Sequence, residues 1–309
     1  MTHCCHICFA IIVQKGDEIM DKLLSWLLED ETPEIKYRTM TELLNIPKSE
    51  PEVKKAYENL VNSDAVRIAM DKFKVNKKWE DFNAFCTLAE FGLTREDVPI
   101  DDYVERIIVD TNFDMMCGKG LLLRNLVALG YYEHARVQGE IPASFSIIRN
   151  DGSFRCLSKT KKTNDSNLPD MGCYRQTTTY LLLAAELKKK GIILSQFEPL
   201  TNFYMNYNVI FRPDSINDFI IKEMAGTFYP LDPVKMGLQM IMYGLSIIGD
   251  ASHPNCKKAW ELLESKKDSE GRYILEGSLS KPYFKIGKKG KPNKWVTLYV
   301  LLAKKYLIK

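Results

Sequence analysis

Histidine is scarce in this chain of 309 residues, at four in total, and no hydrophobic run reaches the roughly 20 residues that a membrane-spanning helix needs. The longest apolar stretches, 120–132 and 236–248, are broken by Arg124, Asn125 or Gln239, so no transmembrane segment is expected. The short apolar run Ile7–Val13 has no basic segment before it and no small-residue cleavage site after it, which argues against a secretory signal. A disulfide framework is also missing. The eight cysteines (4, 5, 8, 86, 117, 156, 173 and 256) show no regular spacing, and reduced thiols in a cytoplasmic protein are the expectation. Nor is there a broad excess of one charge. The net +3 hides nine lysines and no acid between Lys281 and Lys309, which leaves the rest of the chain at −6. A basic segment so confined, with no aromatics among the lysines of 285–294 and an acidic balance over the rest of the chain, argues against nucleic-acid binding.

What is present is a composition of 45% hydrophobic and 27% charged residues, enough for one large core or two ordinary ones. Residues 1–19 read as a disordered extension. Its segment His3-Cys4-Cys5-His6-Ile7-Cys8 crowds metal-type ligands together without the usual spacers. Met20 opens a segment with helical apolar spacing, and Pro33–Leu44 has the proline-started form of a helical unit, with Pro47 and Pro51 marking the turn after it. Residues 20–70 are therefore expected to form a helical N-terminal cap, continuous with a domain over 71–309.

That domain carries an internal repeat. Trp79–Gly92, Cys117–Gly130 and Met236–Gly249 are mostly apolar and end in glycine, the pattern of a helix with a glycine C-cap. Cys173 opens a weaker copy that runs to Gly191, and Trp295–Leu302 is a fifth apolar stretch. After Gly130 and after Gly249 comes an amphipathic stretch and then an acidic-Gly-x-aromatic turn, Asp151-Gly152-Ser153-Phe154 and Glu270-Gly271-Arg272-Tyr273. Both glycine-to-glycine separations are 22 residues. Glycine supplies the left-handed turn and the aromatic ring covers the end of the helical layer. The pattern predicts an all-α protein of alternating apolar and amphipathic helices.

This unit resembles the repeat of the terpenoid cyclase and protein prenyltransferase superfamily, in particular its small squalene-cyclase-like members. The resemblance covers roughly residues 70–309 and is most specific over Trp260–Leu302. It implies an α/α toroid in which inner helices line a central cavity, outer helices enclose them and the acidic-Gly turns lie at one rim. An apolar, isoprenoid-like ligand is implied with it.

The chemistry of that family is not written in full here. Class II cyclases protonate an alkene with an Asp-x-Asp-Asp motif, which the chain lacks. The nearest proton-donor candidates are Asp110 and Asp114, positions that ordinary helix capping also explains. Prenyltransferases hold zinc through Asp, Cys and His. The only histidines in the repeat region, His134 and His253, each follow a helix-ending glycine by four residues, a placement that suits structure better than ligation. Cys117, Cys156 and Cys173 fall near one rim and are candidate zinc ligands, with Asp114 or Asp170 as a fourth. Packing as small buried groups is the alternative.

Polar groups on apolar helices favour a cavity over a dry core, which marks Arg124, Arg175 and Gln239. Tyr174, Tyr243 and Trp295 are its candidate aromatic lining, although such rings are also ordinary core. Lys294 ends the lysine loop 285–294, where glycines between lysines would let an anion such as a diphosphate approach. The sequence thus predicts a toroid binding an apolar small molecule in its cavity. A non-catalytic scaffold for a peptide or protein partner and a zinc-thiolate enzyme stand as alternatives.

Overall fold

The computed structural model describes residues 18–156, 172–233, 235–278 and 284–307. The histidine and cysteine cluster at residues 3–8 and Asp170 lie outside them. Among the described residues there are thirteen α-helices, and the only strands form a two-stranded antiparallel hairpin, β1 (Phe211–Arg212) and β2 (Ser215–Phe219). The predominance of helix agrees with the all-α expectation, and the hairpin is an addition to it. No helix among the described residues is long and apolar enough to cross a membrane.

Helix α1 (Glu18–Leu27) begins two residues before Met20. Pro33 starts α2 (Pro33–Arg38), as its missing N–H allows at a first helical position, and a π-helical turn at Thr39–Leu43 extends it. Next come α3 (Pro51–Val61) and α4 (Asp64–Phe73), the latter capped by Ser63, whose side chain accepts from the Val66 N–H at 3.3 Å. The apolar segments follow as α5 (Lys78–Glu90), α7 (Lys119–Ala128), α9 (Tyr174–Lys189), α11 (Leu238–Ile248) and α13 (Lys294–Leu307). Between them lie the less completely buried α6 (Asp101–Thr111), α8 (Ala135–Phe145), α10 (Phe197–Asn206) and α12 (Lys257–Glu264). Gly92, Gly130, Gly191 and Gly249 each take a positive φ just past an apolar helix, as the sequence anticipates.

The apolar helices are buried on nearly every face, and they pack in chain order: α5 on α7, α7 on α9, α9 on α11, α11 on α13, and α13 on α2 and its π-helical turn. The last turn of α5 also reaches α2, because Arg38 Nη1 donates to the Glu90 carbonyl at 2.9 Å. One apolar core holds side chains from Leu23 to Ala303, so residues 20–70 and the repeat region share it. Burial of this kind supplies the main favourable term in folding.

The two acidic-Gly turns are built alike. The Phe154 N–H donates to Thr177 Oγ1 at 3.0 Å and its carbonyl accepts from the Cys173 N–H at 2.8 Å. Likewise the Tyr273 N–H donates to Thr297 Oγ1 at 2.9 Å and its carbonyl accepts from the Asn293 N–H at 2.8 Å. Each turn is thereby fixed to the first turn of the next apolar helix, α9 or α13. Asn293 and Cys173 occupy the same N-cap position, Asn293 Oδ1 accepting from the Val296 N–H and Cys173 Sγ from the Gln176 N–H.

Candidate functional site

Two regions of the apolar helices gather the chemistry. Where α2, α5, α7, α9 and α13 approach their C-terminal ends, an ion network crosses the core. Glu90, 1% exposed, holds Arg124 through one carboxylate oxygen and the Tyr299 hydroxyl through the other. Arg38 grips Glu42 by two hydrogen bonds at 2.5 and 2.8 Å, donates to the Tyr299 hydroxyl oxygen at 3.0 Å and stands 3.9 Å from Glu90. Arg124 also faces Glu186 at 3.7 Å, and Glu186 pairs with Lys189 at 3.1 Å. Three cations thus meet three carboxylates, as buried charges require. Some of these groups, including Arg38, Arg124 and Lys189, border a cavity of about 370 Å³ open at this end.

Burial by itself would raise the Glu42 carboxyl. The charge of Arg38 and the hydrogen bonds from it outweigh that and bring the carboxyl down to about 2. A lowered carboxylate stabilises the fold above its unfolded pKa, near 4.5, and the contribution is lost as pH falls from there toward 2. Urea unfolding of the wild type and of Glu42→Gln at pH 7 and pH 3 should therefore show a larger acid loss for the wild type, by about 2 kcal/mol, the rest being lost only below pH 3. Equal acid losses in the two proteins would remove Glu42 from this role.

The second region lies at the opposite end, by the starts of α2 and α13, around the mouth of another cavity. A cavity of about 450 Å³ lies there, with Trp26, Ile35, Phe284 and Trp295 among its walls and Glu34 and Lys294 at its polar edge. Glu34 is 5% exposed, and burial pushes its carboxyl up, countered in part by its own backbone N–H and by Lys294. Lys294 is held by Glu29 at 2.8 Å and Thr32 at 3.1 Å, and sits 5.7 Å from the Trp26 ring centre. Trp295 stacks on Tyr229 with ring centres 4.4 Å apart, and neither the Trp295 Nε1 nor the Tyr229 hydroxyl has a hydrogen-bond partner. A third cavity, about 500 Å³, opens by the starts of α9 and α11.

The candidates read from the sequence divide among these places. Lys294 and Trp295 line the mouth cavity, Arg175 lines the third cavity beside Glu223, and Arg124 lines the cavity at the other end. Gln239 faces no cavity of these three. Its amide pairs with the Phe228 backbone, Nε2 donating to the carbonyl at 2.6 Å. The Tyr174 hydroxyl donates to the Val209 carbonyl, and its ring packs edge-on against Tyr204. Tyr243 is buried edge-on to Tyr299. These rings mainly pack on one another.

Asp110 and Asp114 are both exposed, on the last turn of α6 and in the turn after it, and neither borders the three cavities. Exposed positions away from these cavities do not suit a proton donor to an enclosed apolar substrate. His134 bonds Glu105 at 2.8 Å and His253 Nδ1 accepts from the Asn255 N–H at 3.1 Å, both at the approach to one of the less buried helices.

The three rim cysteines are electrostatic neighbours. Burial first, and then Cys156 and Cys117, push the Cys173 thiol up to about 12. Its sulfur already caps α9. Among the described residues no group of three or more His, Cys, Asp or Glu is arranged to hold a metal ion, so these residues do not fit the zinc site considered from the sequence.

Glu34 and Glu90 are the residues that the sequence reading passes over. The signal for Glu90 was an acid on an otherwise apolar helix, two residues before its terminal glycine. Glu34 looks like an ordinary first-turn acid beside a proline, and only its burial distinguishes it. No protein-family model, no curated protein and no solved structure matches this chain.

Proposed function

We propose that α2, α5, α7, α9, α11 and α13 stand around a common axis with the less buried helices outside them, as in the α/α toroids of terpenoid cyclases and prenyltransferases. The order of their packing and the contact of Arg38 with Glu90 support this arrangement. The protein's function on this reading is to bind an apolar small molecule at the mouth where α2 and α13 begin. One observation carries it: a cavity of about 450 Å³ whose apolar walls include two tryptophans, a phenylalanine and three isoleucines, large enough for such a ligand. The ion network at the other end is balanced within itself and serves the fold.

Calorimetric titration of the full chain with farnesol tests the reading. Ala65 borders the cavity from the first turn of α4, so Ala65→Trp should fill it. The expected result is binding by the wild type that weakens by about ten-fold or more in the variant, since each 1.4 kcal/mol of lost contact is ten-fold. Unchanged affinity in a folded Ala65→Trp protein would move the ligand elsewhere, and no binding at all would favour the scaffold alternative.

A further inference from the structure

We infer that the molecule held at this mouth ends in an uncharged hydroxyl, which accepts from the indole N–H of Trp295 and hydrogen-bonds the carboxyl of Glu34. The inference rests on the binding reading above and names the chemistry of the ligand's head. Its first support is the unpartnered Trp295 Nε1. A buried donor without an acceptor carries a penalty that a ligand oxygen would relieve, and Trp295 is 2% exposed and lines the cavity. Its second support is Glu34, 5% exposed on the same cavity. Burial raises this carboxyl, and its oxygens can accept from a ligand hydroxyl.

Charge at the cavity excludes the other heads. Glu31, Glu34 and Asp64 border it against Lys285 and Lys294, and Lys294 is already engaged by Glu29. A diphosphate would therefore meet three carboxyl groups with one cation committed elsewhere. An ammonium head would find the Trp26 ring already beside Lys294 and would offer no acceptor to Trp295. A hydroxyl gives the orphaned indole N–H an acceptor and bonds the Glu34 carboxyl without adding charge.

The test is calorimetric titration of the full chain with farnesol, farnesyl diphosphate and the hydrocarbon farnesene, with thermal unfolding as the check on folding. Farnesol should bind about ten-fold tighter than either relative, the size of effect one well-placed buried hydrogen bond produces. Trp295→Phe keeps a ring for the Tyr229 stack and removes the N–H, and Glu34→Leu removes the carboxyl. Each should erase the preference for farnesol over farnesene, while Glu34→Gln should keep most of it. Equal binding of farnesol and farnesene by the wild type would overturn the head-group inference and leave apolar binding standing. Tighter binding of the diphosphate would overturn it as well. Failure of all three probes to bind would instead overturn the binding reading itself.

Discussion

Glu90→Ala should lower the unfolding free energy by about 3–5 kcal/mol, the usual effect of removing one partner from a buried charge pair. Glu90 is 1% exposed and its carboxylate is the acceptor for Arg124 and for Tyr299, with Arg38 standing close by. Removing it leaves two guanidinium groups, 3% and 4% exposed, with Glu42 and Glu186 as their remaining counter-charges. For a domain whose whole stability is typically about 5–15 kcal/mol, the loss is a large share. Glu90→Gln keeps acceptor and shape while removing the charge, and should fall between wild type and alanine. Urea denaturation at pH 7 followed by circular dichroism measures all three proteins. A Glu90→Ala midpoint equal to wild type would mean that water or a neighbouring carboxylate replaces Glu90, and that the network is dispensable.

Gly152→Ala should be nearly as damaging, and far more so than the matching change Gly271→Ala. Both glycines sit at positive φ, +81° and +77°, so alanine is strained at either by about 1–2 kcal/mol. The surroundings then separate them. A Cβ on Gly152 would lie 1.8 Å from the Pro199 carbonyl oxygen and 2.7 Å from its carbon, which are backbone atoms of α10 and cannot swing aside. On Gly271 the nearest atom is the Ile19 Cγ2 at 3.3 Å, on a side chain of α1 that can give way. Displacing packed backbone adds about 1–3 kcal/mol, so Gly152→Ala should lose about 2–5 kcal/mol in total and Gly271→Ala only the strain part. Paired melting curves decide it. Equal losses at the two sites would mean that the first turn opens away from α10 at little cost, and that the α9 end of the repeat is looser than the hydrogen bonds of Phe154 imply.

The same pair of turns shows where the sequence was sufficient. An acidic residue, a glycine and an aromatic in fixed order encode a turn locally, and a threonine four residues past the helix N-cap completes it, at Thr177 and at Thr297. The helix-ending glycines and the alternation of apolar with amphipathic segments are likewise properties of neighbouring residues. They were legible for that reason, and the helices lie where those signals put them, within a few residues at their ends.

The candidate site was legible only in part. Lys294 and Trp295 were marked by the sequence and do border a cavity, but Asp110 and Asp114 were marked by their residue type and stand in solvent. Arg124 could be recognised as an anomaly on an apolar helix, while its partner Glu90, 34 residues away, could not be matched to it. Cys173 looked like a ligand, and serves as a helix cap because a sulfur at the N-cap position can accept a backbone N–H.

Residue order alone therefore determined the helical class, the turns, the repeat and the confinement of basic charge to one end. Only the tertiary structure decided which charges are paired, which aromatic donors lack partners and which carboxyl is withdrawn from water. Turns and helices depend on side chains a few residues apart along the chain. The upward shift of the Glu34 carboxyl and the pairing of Glu90 depend on burial among groups that folding brings together from distant segments.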